Sequence, residues 1–154
     1  MRTMLLSLKP EVFRNVQSGK KIYEHRRVFP DEPIKAYIYI SRPIQALAGI
    51  MYLGNKVNIE DWKEKYKEDV DAQIRIEDYL QHHKVAMEIQ RFQNTSSIAL
   101  VDIKKVFPNF LIPQMYYYLD DHPLLQFLED NLVPIGEPIT HTFENITSDQ
   151  ICVH

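Results

Sequence analysis

The sequence predicts an α+β fold, a curved sheet or small β-barrel of five or six strands with helices around it. Three observations carry that expectation. Runs of aromatic and β-branched residues alternate with amphipathic stretches in the order β-α-β-β-β-αα-β-α-α-β. The 154 residues are 45% hydrophobic and 25% charged, the make-up of a globular chain and not of a disordered one. The length supports a single domain over residues 1–154, with no Gly/Ser linker or internal repeat to divide it.

Residues 5–8, Leu-Leu-Ser-Leu, read as a first strand. Pro10 then opens a helix, because proline suits a first helical position, and Val12, Phe13 and Val16 form its apolar stripe. Ser18-Gly19 closes it, with glycine as the left-handed cap. A charged strand is expected over residues 20–28 and a turn at Phe29-Pro30-Asp31-Glu32-Pro33. Residues 36–40, Ala-Tyr-Ile-Tyr-Ile, are apolar on both faces and read as a central strand. Residues 46–53 follow as a strand with Gly49 at a bulge or close approach, and Gly54-Asn55 reads as a turn.

Ile59, Trp62 and Tyr66, then Ile76, Tyr79, Leu80 and His83, repeat at helical spacing, so residues 57–84 are expected as a helical insertion with Asn58 and Asp69 as N-caps. Residues 86–93 complete the sheet as a strand. Ser97 is expected to cap a helix running to Phe107, and Asp121 one that starts near Pro123. The aromatic stretch 113–119 has no clear type, residues 139–143 read as a last strand, and residues 144–154 as a loose tail.

Several chemistries are excluded. No apolar run approaches the roughly 20 residues that cross a bilayer, and the first ten residues have too short an apolar core for a signal peptide. The single cysteine, Cys152, rules out an intrachain disulfide. The expectation is a soluble cytoplasmic protein without membrane contact, and the sequons at Asn94 and Asn145 carry no weight there. Scattered histidines and one cysteine do not make a zinc site, and no phosphate-binding glycine loop or nucleophile elbow is present. No cofactor and no metal are expected.

Net charge is −3, which argues against a nonspecific DNA coat. The charge is unevenly spread. Residues 1–35 hold eight Lys/Arg against four Asp/Glu, whereas residues 95–154 hold two against eight. The early cluster is either a solvated surface or a local anion site. Within it, Glu24 and Arg26 share one face of a strand, about 7 Å apart at the α-carbons, so an ion pair or a shared ligand site is feasible. Lys21 has the opposite parity and joins them only from a turn or bulge.

Gly19-x-Lys21-x-x-Glu24-x-Arg26 resembles the G-x-K-x-x-E-x-R signature of the ASCH domain family, a branch of the PUA-like superfamily. The flanks resemble it too: a strand ending in Lys9-Pro10, then a helix, and later an apolar strand ending in Ser41-x-Pro43. The resemblance covers residues 4–54 well and the later strands loosely. It implies a PUA-like β-barrel with a cleft between barrel and first helix, lined by the signature residues, and a ligand that is RNA or nucleotide-like. Some small members are amidohydrolases of acetylated cytidine with a threonine where this chain has Glu24, a departure that puts that activity in doubt here.

Two function classes follow. In a binding module, Gly19, Lys21, Tyr23, Glu24, Arg26 and Ser41 line the ligand site. Lys21 and Arg26 act as cationic donors, and Tyr23, Tyr37, Tyr39 or the run Tyr116 to Tyr118 offers a stacking face. In a hydrolase acting on an acylated nucleoside or on RNA, Lys21 or Glu24 is the base and Ser41 a candidate nucleophile. A buried Lys21 with a lowered pKa favours the second class and an exposed, ion-paired one the first. The oligomeric state is left open by the sequence.

Overall fold

The structure, a computed structural model, describes all residues 1–154. In chain order its elements are β1 (Arg2–Leu8), α1 (Pro10–Gln17), β2 (Tyr23–Arg26), β3 (Ile34–Ile40), β4 (Ala46–Asn58), a 3-10 turn (Ile59–Asp61), α2 (Trp62–Lys65) and α3 (Val70–Leu80). Then come β5 (Val85–Gln93), β6 (Ile98–Ala99), α4 (Leu100–Val106), β7 (Tyr116–Tyr118), α5 (Pro123–Asn131), β8 (Ile139–Thr140) and a second 3-10 turn (Ser148–Gln150). The main sheet runs β2-β5-β4-β3-β1-β7, and the two-residue strands β6 and β8 add to β4 and β5. Only β1 and β3 are parallel, because α1 and β2 intervene between them in the chain; every other pair is antiparallel. The result is a curled half-barrel of mixed strands with helices around it, an α+β PUA-like fold.

The period-2 alternation of the central strands sorts the core. Met4, Leu6 and Leu8 of β1 and Ala36, Ile38 and Ile40 of β3 pack on one face with Phe13 and Val16 of α1. Leu5, Tyr37 and Tyr39 pack on the other with Leu100, Ile103, Leu124 and Leu128 of α4 and α5. A third cluster joins β2 to α3 through Tyr23, Trp62, Ile76 and Tyr79.

Curvature enters at two bulges in β4. Tyr37 pairs with Ile50 and Tyr39 with Leu47, so Ile38 faces both Ala48 and Gly49. Gly49 has φ +86°, and a Cβ there would sit 2.9 Å from the Phe92 ring and 3.0 Å from the Phe13 ring. Gly54-Asn55, expected as a turn, lies inside β4 instead. Gly54 pairs with Glu88 and Lys56 with Met87, leaving Asn55 unpaired at φ 49°. The same left-handed tolerance that suits Gly and Asn to a turn suits them to a bulge, and the sequence does not separate the two.

Other differences have local causes. The charged strand expected over residues 20–28 contracts to Tyr23–Arg26, because the backbone N–H of Lys21 is drawn to Asn15 O at the end of α1, 2.9 Å away. Ser97 does not cap α4; Ile98–Ala99 pairs with β4 first and Ala99 is the N-cap. Asp121, likewise, is not the cap of α5, since His122 accepts from the Leu124 N–H. The aromatic stretch becomes β7, pairing with β1, and the last strand is only Ile139–Thr140. The helical stretch is broken into two helices between Ile59 and Leu80, with Asp69 capping α3 by accepting from Ala72 N at 3.0 Å.

The segment from Glu144, expected to be loose, is packed. Ile146, Ile151 and Cys152 are buried against α3, Tyr66 donates its hydroxyl to Ile146 O at 2.7 Å, and Thr147 and Gln150 form a reciprocal capping box. Its apolar residues are spaced by polar ones, so no strand or helix period marked it.

Candidate functional site

β2 is the edge strand of the sheet, paired only with β5. Curling brings this edge round to β1, where an Arg26 Nη2 donates to Ser7 O at 3.4 Å. Between them lies a cavity of about 320 Å³, walled by the end of β1, the start of α1, β2 and the C-terminal end of α3. Lys21, Glu24 and Arg26 all line it, together with His25, Tyr79, His83 and His154.

Glu24 and Arg26 share a face of β2, as the alternation requires. Glu24 Oε1 lies 3.3 Å from Arg26 Nε, but the N–H is not aimed at it, and both Arg26 Nε and Glu24 Oε2 are buried without a hydrogen-bond partner. One acceptor and one cationic donor are thus held side by side and unsatisfied, which is costly unless a ligand uses them.

Lys21 arrives from the loop before β2. Its side chain is only 3% exposed, and Nζ lies 2.8 Å from Val153 O and 3.3 Å from His25 Nδ1. Burial pushes its pKa below the ordinary lysine value; Glu24 opposes that shift and Arg26 adds to it. His25 is buried too, its ring edge-on to Tyr79 with centroids 4.8 Å apart, and its Nε2 accepts the backbone N–H of Cys152 at 3.2 Å.

The remaining expected site residues are elsewhere. Gly19 caps α1 at φ +80° beside His141 and does not line the cavity. Tyr23 points to the opposite face of β2, buried between Trp62 and Phe143 with centroids 5.0 and 5.3 Å away, so it offers no stacking surface. Ser41 follows β3 and donates its backbone N–H to Leu8 O, but does not line the cavity either. The cleft was expected beside Ser41 on the premise that β2 and β3 neighbour each other; β5 and β4 lie between them in the sheet. Tyr37 and Tyr39 are core residues at 1% exposure, and the half-buried β7 tyrosines pack against Phe29 and Arg2. Sequence reasoning missed His25, Tyr79, His83 and His154. Tyr79 and His83 stand four apart on a helical stripe, and His25 lies inside the motif, so those signals were present. No cluster of three His, Cys, Asp or Glu side chains is arranged to hold a metal ion, and no helix is long and apolar enough to cross a membrane.

His25 gives this site a pH signature. Burial, then repulsion from Lys21, His83 and His154, holds its folded pKa well below the ordinary 6.5. The unfolded chain therefore binds the extra proton first, and stability falls as pH drops below about 6.5, with a slope of up to about 1.4 kcal/mol per pH unit per proton. Urea unfolding between about pH 7 and pH 5 measures it, above the main carboxylate range. His25→Phe should flatten the slope, with lesser contributions left from His83 and His141, whose pKa values burial also lowers. An identical slope in wild type and His25→Phe would place the acid sensitivity elsewhere.

No protein-family model matches the chain. Among curated proteins it is 29% identical over 122 residues to an ASCH domain-containing ribonuclease of Zymomonas mobilis subsp. mobilis, covering 75% of this chain and 82% of that one. Among solved structures it is similar to the ASCH protein of Zymomonas mobilis, with TM-score 0.67, 25% identity and coverage of 85% and 96%. A serine-to-alanine mutant of that ASCH protein matches with TM-score 0.64, 25% identity and coverage of 83% and 95%. Sequence similarity over three quarters of its length and the shared curled sheet agree: the chain is similar to ASCH domains in both sequence and fold.

Proposed function

We propose that the cavity beside β2 takes up single-stranded RNA and cleaves its phosphodiester backbone. The observation that carries this reading is the buried Lys21, its pKa lowered by burial, set next to an unsatisfied carboxylate oxygen and an unsatisfied guanidinium N–H. RNA presents a matching pair, a 2′-hydroxyl that donates beside a phosphate that accepts. The name of the Zymomonas relative supports the same substrate.

In this mechanism Arg26 faces the phosphate, since a guanidinium matches two phosphate oxygens at once. Glu24 Oε1 steadies Arg26, and Oε2 accepts from a ribose hydroxyl. Lys21 takes the 2′-hydroxyl proton, the 2′ oxygen attacks phosphorus, and the 5′ oxygen leaves and is protonated from solvent. The products are a 2′,3′-cyclic phosphate and a 5′-hydroxyl. The binding-only reading needs Lys21 as an exposed cation, which its burial disfavours.

The basic charge is local, so only about two to four phosphates are engaged, each contributing a salt slope of about −0.7 for a single strand. The test pairs a short labelled RNA with its fully 2′-O-methylated twin over a salt series. The expected result is binding of both with that shallow slope and cleavage of the unmodified strand alone. Binding of both without cleavage of either would leave a binding module. Cleavage of the methylated strand would rule out attack by the 2′ oxygen.

A further inference from the structure

We propose that the backbone of Cys152 and the ring of His25 form a proton lock that presents Lys21 as an uncharged amine. A peptide N–H has one role, that of donor. The Cys152 N–H points at His25 Nε2 from 3.2 Å in a buried setting, so Nε2 must offer its lone pair. A neutral imidazole has one lone pair and one N–H, and the hydrogen therefore sits on Nδ1. Nδ1 lies 3.3 Å from Lys21 Nζ. A hydrogen aimed at that nitrogen needs a lone pair to meet it, which an ammonium lacks and an amine has.

The alternatives fail on the same geometry. An ammonium donating to Nδ1 forces the hydrogen onto Nε2, where it meets the Cys152 N–H head-on. An imidazolium turns its Nε2–H against the Cys152 N–H, and its Nδ1–H against Lys21 whenever that group is an ammonium. Rotating the ring by half a turn puts carbon where both nitrogens now have partners, so the ring orientation is fixed by its contacts. Val153 O, 2.8 Å from Nζ, accepts one amine hydrogen and fits this arrangement.

The charges around Lys21 do not override the lock. From β2, Glu24 favours the ammonium, but its carboxylate lies against Arg26, which disfavours it. From the end of α3 and the turn after it, Tyr79 and His83 are both neutral near pH 7, since burial raises the phenol and lowers the imidazole. From the tail, burial raises the thiol of Cys152, so it too stays neutral, while His154 directs its Nδ1 to the Tyr79 hydroxyl at 2.8 Å. Proton transfer to Lys21 turns its ammonium against the Nδ1 hydrogen, so the proton is held weakly and returned easily, as suits a group that must accept and release it near neutrality. His25 and the Cys152 backbone are positioning groups in this scheme, and the assignment concerns a proton state, independent of the ligand.

The test is a long-range imidazole ¹H–¹⁵N correlation spectrum of the full chain, with the Lys21 side-chain signals followed over pH. The expected result is the Nδ1–H tautomer for His25, no titration of that ring down to the pH of acid unfolding, and a Lys21 that loses its proton well below the ordinary lysine range. Cys152→Gly keeps the backbone N–H and suits the positive φ of 54° at that position, so it should leave the tautomer and the Lys21 titration unchanged. An Nε2–H tautomer, an imidazolium at neutral pH, or a Lys21 that titrates like a free lysine would overturn the lock. A tautomer altered by Cys152→Gly would assign the effect to the thiol and overturn the role of the backbone.

Discussion

Lys21→Met should lower the rate of RNA cleavage by about 10²–10⁴-fold, the usual contribution of a positioned acid–base group. The stem of the lysine is kept and only the amine is lost. The variant should remain folded, because burying an amine is itself unfavourable and methionine fills the same space with a flexible apolar chain. Affinity for a 2′-O-methyl strand should change little, since an uncharged Lys21 makes no phosphate ion pair. Arg26→Ala should behave in the opposite way, weakening binding and removing about one phosphate from the salt slope. The wild-type rate should climb with pH as Lys21 loses its proton, reaching its plateau below the ordinary lysine value of 10.5 because burial lowers the pKa. Single-turnover cleavage measured across pH for the three proteins separates these roles. A Lys21→Met protein that cuts within a few-fold of wild type would remove Lys21 from the chemistry and leave Glu24 as the base.

The fold was readable where one period dominated. Residues 36–40 and 86–93 carry alternation or a continuous apolar run, α1 has a proline at its start and a left-handed glycine at its end, and those elements lie where the pattern puts them. The misread places are those where one residue type serves two geometries, such as Gly54-Asn55, a bulge and not a turn, or Ser97, a good cap residue displaced by strand pairing next to it. Local preference there yields to tertiary pairing.

The candidate site was legible in part for the same reason. Strand parity placed Glu24 and Arg26 together, and the exception needed for Lys21, a position outside the strand, is the one the backbone adopts. Ser41 and Tyr23 were misassigned because strand order and the burial of β2's second face are long-range facts. The tail is the larger omission. Cys152, Val153 and His154 reach back to His25, Lys21 and Tyr79 across 127, 132 and 75 residues, contacts no local pattern encodes. The elements that hold Lys21 therefore come from both ends of the chain, and the packing of α1 on the sheet bears directly on the site.

That packing rests on Phe92, and Phe92→Ala should destabilise the protein by about 3–5 kcal/mol, the range for a buried phenylalanine. The ring is 0% exposed, sits edge-on to Phe13 of α1 with centroids 5.7 Å apart, and covers Gly49 at the β4 bulge. It holds α1 against the sheet, and Asn15 of α1 in turn accepts the Lys21 backbone N–H. Gly49→Ala alone should cost about 1–3 kcal/mol, from a Cβ that collides with two rings and from a positive φ that alanine resists. The two changes should not add. Removing the Phe92 ring opens the nearer half of the space that the new Cβ needs, leaving the Phe13 contact and the φ strain. The double variant should therefore be more stable than the sum of the singles implies by about 0.5–3 kcal/mol, the coupling expected of residues in contact. Urea unfolding of the four proteins gives the cycle. Additivity within about 0.5 kcal/mol would show that the Phe92 ring does not press on the bulge. Single-turnover cleavage by Phe92→Ala then reports whether a loosened α1 carries Lys21 away from its partners, since the side chains of the cavity itself are untouched.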